Sequence, residues 1–405
     1  MPYCEVGREN AGADAALNNA IKIFYRTYGH GPTKALLIIG LAGTHESWEP
    51  QIKGLTGTVK PNDDGDAASD QSSGDADGES SAAAGGGIEV CAFDNRGMGR
   101  SSVPTKRSEY TTKIMAKDAI ALLDHLGWKK AHIIGHSMGA MTACKLAAME
   151  PGRVLSLALL NVTGGGFECF PKLDRKSLSI AIRFLKAKTP EQRAAVDLDT
   201  HYSEEYLEEH VGTNTRRTIL YQQYVKGIST TGMQSKYGFD GQINACWTHK
   251  VKRTELEQIC SGGFLVSVVH GRHDVIAQIC HARRLAQKLY PVARMVDLHG
   301  GHLVSHERTE EVNRALLELI KAAEMKTHPS DWTNLPMEPS GYFRTRIAFI
   351  RSTANRETAT SLAYTVVEKF HLCLLFLFSM LVLAFEYARK AFRVVKPVRV
   401  GPSLT

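Results

Sequence analysis

Short apolar or alternating runs recur along the 405-residue chain and predict buried strands. They occupy residues 21–28, 35–39, 88–93, 131–134, 154–160, 264–269 and 293–298. Segments of helical character follow several of them, at residues 111–126, 138–149, 281–290 and 309–325. Strands that alternate with helices predict an α/β fold, with a mostly parallel central sheet and helices on both faces.

Two segments interrupt this alternation. Residues 61–87 are rich in Asp, Ser, Ala and Gly without apolar periodicity, which favours a disordered acidic insertion. Residues 164–250 are largely polar and helical, and we expect them to form a helical lid over one end of the sheet. The hydrolytic core would then comprise residues 1–163 and 251–325, followed by a proline-containing linker over residues 326–365.

The C-terminal residues 366–405 contain an apolar run from Phe370 to Phe385 and then a basic tail. A spanning helix needs about 20 apolar residues. The run is somewhat shorter than this, but it is apolar on all sides. We therefore expect a C-terminal apolar helix that associates with a membrane, as a transmembrane anchor or an interfacial helix. The basic residues that follow would suit anionic lipid.

The first residues lack the basic start and the apolar run of a signal peptide, so we expect the catalytic domain to face the cytoplasm. The topology stays open, because the positive-inside rule would instead hold the tail in the cytosol. Asn161-Val162-Thr163 matches a glycosylation sequon, which we interpret as a chance match after a buried strand.

Composition narrows the functional classes. The chain is 43% hydrophobic and 22% charged, as in globular proteins. Its eight cysteines form no C-x-x-C pair, which favours a reducing compartment without disulfides. No nucleic-acid-binding motif is present. Residues 97–102 (GMGRSS) lack the last glycine of a dinucleotide fingerprint, so no nucleotide cofactor is expected.

A glycine-flanked serine carries the clearest chemical signal. Gly135-His136-Ser137-Met138-Gly139 fits G-x-S-x-G and lies between a predicted strand and a predicted helix. Small neighbours allow the strained turn that exposes a nucleophilic serine, and the helix N-terminus favours developing negative charge. We therefore assign Ser137 as the nucleophile. The alternative is a glycine-flanked turn with an inactive serine.

A serine nucleophile needs a histidine base and an acid that orients it. His302 and Asp274 each closely follow a predicted strand, and we assign them as base and acid. His306 is the competing base, and Asp297, inside the last predicted strand, is the competing acid. The two histidines also spell H-x-x-x-H, but no H-E-x-x-H or third ligand accompanies them, so no metal site is expected.

The negative charge that forms on an attacked carbonyl oxygen needs two backbone N–H donors. Met138, the residue after the nucleophile, is expected to supply one. The other is expected from residues 40–44 (GLAGT), after the second core strand in this chain, where we choose Leu41.

Five motifs, in order, resemble the α/β-hydrolase superfamily, over roughly residues 21–325. They are residues 40–43 (GLAG) with 45–48 (HESW), 93–102 (FDNRGMGRSS), 135–139 (GHSMG), 271–274 (GRHD) and 300–302 (GGH). The resemblance, which extends to uncharacterised plant-type members, implies the α/β-hydrolase fold, a lid domain and acyl-ester hydrolysis. Ile39 departs from the pattern, since the family usually has His there. Members with an Asp nucleophile, such as epoxide hydrolases, are disfavoured because position 137 is Ser.

These observations predict a membrane-associated serine hydrolase that cleaves a carboxylic ester or related acyl substrate, a small molecule or a lipid. The reaction would pass through an acyl-enzyme on Ser137 and would need no cofactor. An acyltransferase and a ligand receptor on the same fold are the alternatives. The substrate itself is not identified by the residues.

Overall fold

The computed structural model describes residues 2–7, 21–62, 87–172, 174–231 and 234–336. The strands in these residues are β1 (Tyr3–Val6), β2 (Ile21–Tyr28), β3 (Thr33–Ile38), β4 (Ile88–Phe93), β5 (Ala131–His136), β6 (Val154–Leu160), β7 (His210–Val211), β8 (Asn214–Thr215), β9 (Leu265–Gly271) and β10 (Ala293–Leu298). The predicted core strands therefore form within a few residues of their expected bounds, whereas the short β1 was not predicted.

Eight of these strands form one sheet in the order β1-β2-β4-β3-β5-β6-β9-β10, and β7 pairs with β8 separately. The β1–β2 and β2–β4 pairs are antiparallel. All other neighbours from β4 to β10 run parallel. The predicted α/β fold with a mostly parallel sheet is confirmed.

Helices follow most of the parallel strands. They are α1 (Glu49–Thr56), α2 (Thr112–His125), α3 (Met138–Met149), α4 (Arg175–Lys186), α5 (Pro190–His201), α6 (Glu204–Glu208), α7 (Arg216–Thr231), α8 (Lys236–Thr248), α9 (Arg253–Cys260), α10 (Ile279–Lys288), α11 (Val304–Glu307), α12 (Thr309–Glu324) and α13 (Pro329–Trp332).

Two apolar clusters cover the two faces of the sheet. Ile133 of β5 packs in one cluster with Leu122 of α2 and Ala143 of α3. The next residue, Ile134, packs in the other cluster, which includes Leu316 of α12. Consecutive side chains of a strand point to opposite faces, so a strand covered by helices on both sides needs an unbroken apolar run.

The segment from α4 to α8 lies between β6 and β9, within the predicted helical insertion of residues 164–250. Local capping explains why these polar sequences form helices. The oxygens of N-cap side chains accept backbone N–H groups that the first turn leaves unpaired. The capping residues are Asp174 for α4, Thr189 for α5, Ser203 for α6 and Ser235 for α8.

The described part of the chain ends with residues that pack on the sheet. Trp332 of α13 is buried, and its Nε1 donates to the Val266 carbonyl at 2.8 Å. Residues 326–336, the start of the predicted linker, therefore belong to the packed unit, which ends at Pro336. The predicted acidic insertion, apart from its terminal residues, and the predicted segment 366–405 lie outside the described residues.

The predictions of a transmembrane helix and of a membrane location are wrong. Among the residues that the structure describes, no helix has the length and apolar character needed to cross a bilayer. A spanning helix needs about 20 predominantly apolar residues. The helices α7 and α12 have 16 residues each, and both carry charged side chains. The run from Phe370 to Phe385, on which the predictions depended, lies outside the described residues.

Candidate active site

Ser137 occupies a strained turn between β5 and α3. Its backbone has φ 53° and ψ −120°, a conformation that residues with a Cβ rarely adopt. The Ser137 N–H donates to the Leu160 carbonyl of β6 at 2.9 Å. Glycine is required two residues later, because a Cβ on Gly139 would lie 1.9 Å from the Ile38 carbonyl oxygen. The turn therefore depends on close approach of α3 to the end of β3.

The structure brings Ser137, His302 and Asp274 together at the carboxyl ends of three strands. Ser137 Oγ lies 3.0 Å from His302 Nε2, and His302 Nδ1 lies 2.8 Å from Asp274 Oδ2. In the tautomer with the proton on Nδ1, the imidazole donates to the carboxylate and accepts from the serine hydroxyl. Only 6% of His302 and 7% of Asp274 are exposed, so solvent does not compete for these contacts.

The surroundings of Asp274 keep its carboxylate ionised. Oδ1 accepts the N–H groups of Ile276 and Ala277, each at 2.8 Å, and Oδ2 accepts Asn161 Nδ2 at 2.7 Å as well as the imidazole. Burial by itself raises the pKa of Asp274. The charge and hydrogen bond of His302, the charge of His270 and the Asn161 bond together outweigh burial and lower the pKa to about 2.

Three buried side chains hold the loop that carries His302. His136 Nε2 donates to the His302 carbonyl at 2.8 Å, and Asn161 Nδ2 lies 3.2 Å from the Gly301 carbonyl. Glu307 Oε2 accepts the Gly301 N–H at 2.8 Å. Burial, reinforced by the charge of His302, lowers the pKa of His136 to about 3, so its ring is neutral at neutral pH.

The predicted oxyanion residues flank Ser137. A Cβ on Gly40 would lie 3.1 Å from the Ser137 Cβ, so the loop after β3 passes directly beside the nucleophile. Leu41 of this loop packs against the cluster that contains Met138, the first residue of α3. Both residues thus lie on backbone segments next to Ser137.

The competing residues have other partners. His306 is partly buried, its Nε2 donates to the Ser47 carbonyl at 2.7 Å, and desolvation lowers its pKa. Asp297 forms ion pairs with Arg272 and Arg283.

In the described part of the chain, no group of three or more His, Cys, Asp or Glu side chains is placed to hold a metal ion.

Sequence reasoning missed three polar residues that contact the site: Asn161, Glu307 and Gln242. Asn161 follows β6, and an asparagine at the carboxyl end of a parallel strand was a usable signal, because such ends meet at one edge of the sheet. It is only 1% exposed, so its sequon is inaccessible in the folded protein. Nothing in the local sequence of Gln242 or Glu307 points to a role.

The family follows from these features together with comparison to known proteins. The family model described as alpha/beta hydrolase fold matches residues 36–309, from β3 to the start of α12. The chain belongs to the α/β-hydrolase family. The resemblance seen in its five motifs is therefore confirmed.

Among curated relatives, RutD of Variovorax paradoxus (strain S110), a candidate carbamate hydrolase, is 30% identical over 135 residues. That match covers 33% of this chain and 40% of RutD, so the chain spans about two fifths of that relative. A second relative is the dihydrolipoyllysine-residue acetyltransferase component of the acetoin cleaving system of Pseudomonas putida. It is 27% identical, and the match covers 57% of this chain and 56% of that protein.

Solved structures of other proteins share the fold. The enol-lactonase from Burkholderia xenovorans LB400 has a TM-score of 0.55 at 21% identity, covering 74% of this chain and 97% of that one. A thermophilic esterase from Thermogutta terrifontis has a TM-score of 0.54 at 18% identity, covering 80% and 99%. At these identities the likeness shows the fold alone.

Proposed function

We propose that this α/β-hydrolase is a serine hydrolase that cleaves a carboxylic ester or a related acyl substrate through an acyl-enzyme. The observation that carries the proposal is the continuous hydrogen-bonded series Ser137–His302–Asp274, with contacts of 3.0 and 2.8 Å. A serine hydroxyl is a weak nucleophile, and this arrangement supplies the base and the orienting acid that activate it.

In the proposed reaction, Ser137 Oγ forms a bond to the acyl carbon while His302 Nε2 takes the hydroxyl proton. The carbonyl oxygen becomes an oxyanion that accepts from the N–H groups of Leu41 and Met138. The bond to the leaving alcohol then breaks, and His302 returns the proton to it. Water, deprotonated by His302, then attacks the acyl carbon. The bond from that carbon to Ser137 Oγ breaks, His302 returns the proton to Oγ, and the acid is released. Asp274 stabilises the imidazolium in both steps.

We propose that the helical insertion of residues 164–250 acts as a lid and selects the substrate, with residues 1–163 and 251–325 as the catalytic core. The insertion contacts the site directly, since a Cβ on Gly301 would lie 2.6 Å from the His201 carbonyl oxygen. The name of the relative RutD, a candidate carbamate hydrolase, supports an acyl substrate. A lipid substrate is not proposed, because that prediction depended on the membrane helix.

A fluorophosphonate probe and p-nitrophenyl acetate test this proposal. We expect the wild type to be labelled and to turn over the ester, and we expect Ser137→Ala to lose labelling and about 10³-fold or more in kcat. Ser179→Ala, at an exposed serine of α4, is the matched control and should behave as wild type. Folded wild-type protein that is neither labelled nor active would overturn the proposal in favour of a ligand-binding protein.

A further inference from the structure

A glutamine of the helical insertion connects two loops of the catalytic core. Gln242 of α8 is fully buried. Its Oε1 accepts the Ala42 N–H at 2.9 Å, and its Nε2 donates to the Arg96 carbonyl at 3.0 Å. Ala42 belongs to the loop that carries Leu41, and Arg96 belongs to the loop after β4. One side-chain amide therefore bridges the proposed oxyanion loop and its neighbour.

Close packing and a second glutamine hold the Gln242 side chain in place. A Cβ on Gly238, one turn before Gln242, would lie 2.0 Å from the Gly97 carbonyl oxygen, so α8 lies directly against the loop after β4. Gln234 Nε2 donates both to Gln242 Oε1 at 3.0 Å and to the Gly97 carbonyl at 2.9 Å. These contacts leave the Gln242 amide little freedom to change its orientation.

The partner of Gln242 on the oxyanion loop is in a strained conformation. Ala42 has φ 60°, in the left-handed region, where a residue with a Cβ is held only by its surroundings. Its N–H belongs to the same planar peptide group as the Leu41 carbonyl, which points the opposite way. The hydrogen bond to Gln242 therefore fixes the direction of the Leu41 carbonyl. The preceding peptide group, which carries the Leu41 N–H, is joined to this one at the Leu41 Cα.

We infer that Gln242 is a positioning residue for the oxyanion loop: it orients the Leu41 peptide groups so that the Leu41 N–H faces the reacting carbonyl oxygen. This inference rests on the proposed serine-hydrolase function. It means that the helical insertion contributes to the chemical step as well as to substrate selection. The role requires a donor and an acceptor on one neutral side chain, which an amide provides and a carboxylate does not.

The test compares Gln242→Met, which has similar size without the two hydrogen bonds, with Asn244→Ala on the same helix. Asn244 Nδ2 also connects α8 to the core, through the carbonyls of Arg107 and Tyr110 at 3.2 and 3.1 Å, but neither of these hydrogen bonds is made to the oxyanion loop. We expect Gln242→Met to lower kcat for p-nitrophenyl acetate by about 10- to 100-fold, below the loss typical of a deleted oxyanion donor, with KM nearly unchanged. Asn244→Ala should stay within about twofold of wild type.

A second readout separates positioning from general damage. Ser137 Oγ adds to the carbonyl carbon of a trifluoromethyl ketone, and His302 takes the serine proton. The ketone oxygen then remains in the site as an oxyanion. The affinity for this ketone should fall in Gln242→Met by the same factor as kcat. An unchanged kcat, or a lower kcat with unchanged affinity for the ketone, would overturn the inference.

If Gln242→Met does not fold by circular dichroism, the same two measurements on Gln242→Asn, which keeps the amide on a shorter side chain, decide the question. Wild-type values in that variant would also overturn the inference. An active wild type with an unaffected Gln242 variant contradicts the positioning role alone. An inactive, unlabelled wild type contradicts the serine-hydrolase proposal and removes the inference with it.

Discussion

The core side of the candidate site and the helical insertion over it are held by different interactions. Ser137, His302 and Asp274 follow strands that are packed between two apolar clusters, and all three contact buried polar partners. The insertion instead carries exposed ion pairs, such as Arg183–Asp199 and Arg217–Glu208. Its contacts to the core combine buried polar groups, such as Gln242, with buried apolar side chains, such as Ala245.

This difference predicts where change is tolerated. Exposed ion pairs contribute little to stability, because water screens them and long side chains lose entropy. Buried polar contacts are costly to break, because the remaining partner loses its solvation. The outer surface of the insertion can therefore vary among proteins that keep the same chemistry, whereas the buried contacts cannot. Four substitutions test the contrast, from the largest expected effect to the smallest.

Replacing the acid of the core side should have the largest effect. Asp274→Asn keeps the size of the side chain but favours the wrong tautomer of His302, so we expect kcat to fall about 10⁴-fold. Asp297→Asn, at the competing acid, is the control and should retain wild-type kcat. Steady-state kinetics with p-nitrophenyl acetate measure both, and equal losses in the two variants would contradict the assignment of Asp274.

Breaking the buried ion pair beneath the neighbouring loop should have the next largest effect. Asp118 accepts two hydrogen bonds from Arg96, both at 2.6 Å, and both side chains are buried. Asp118→Ala leaves the guanidinium charge buried without its partner, so we expect a loss of about 3–5 kcal/mol in the free energy of unfolding. Urea denaturation measures this loss, and a change below about 1 kcal/mol would show that water reaches Arg96.

Removing the amide that supports Asp274 should have an intermediate effect. Asn161→Ala deletes a hydrogen bond to an ionised group, so we expect the Asp274 carboxylate to shift. The loss of this bond corresponds to a decrease of about 10- to 100-fold in kcat. It should also raise the pKa of Asp274 from its value of about 2.

The pH dependence of stability provides an independent readout of the same variant. The pKa of Asp274 is lowered from 3.8 to about 2, so its contribution to stability is present above about pH 4 and is lost as the pH falls towards 2. In Asn161→Ala this loss should be smaller and should occur at higher pH. Unfolding free energies measured from pH 2 to 7 test it, and identical profiles would show that Asn161 does not act on the carboxylate.

An exposed ion pair of the insertion should matter least. Glu208 of α6 pairs with Arg217 of α7 at 2.8 Å, and both side chains are substantially exposed. We expect Glu208→Ala to change the free energy of unfolding by less than about 1 kcal/mol and to leave kcat unchanged. A loss as large as that of Asp118→Ala would remove the contrast between the two regions.

Sequence patterns predicted the core because each predicted element carries its own signal. Residues such as Leu36 and Leu37 belong to opposite clusters, so the run around them had to be apolar throughout. The glycine at position 139 is required by a contact of the turn itself, which makes the motif around Ser137 recognisable. The membrane prediction depended on an apolar run outside the described residues, and no helix of the described residues is long and apolar enough to cross a bilayer.

The sequence by itself determined the alternation of strands and helices, the nucleophile turn and the order of the three proposed catalytic side chains. Each of these features can be predicted from residues that are close together in the sequence, through periodicity or a short motif. Only the tertiary structure decided that Asn161 supports Asp274, 113 residues away, and that Gln242 holds Ala42, 200 residues away. A polar side chain has no local signature for such a role, because its partner is chosen by how distant segments pack and by the exclusion of water between them.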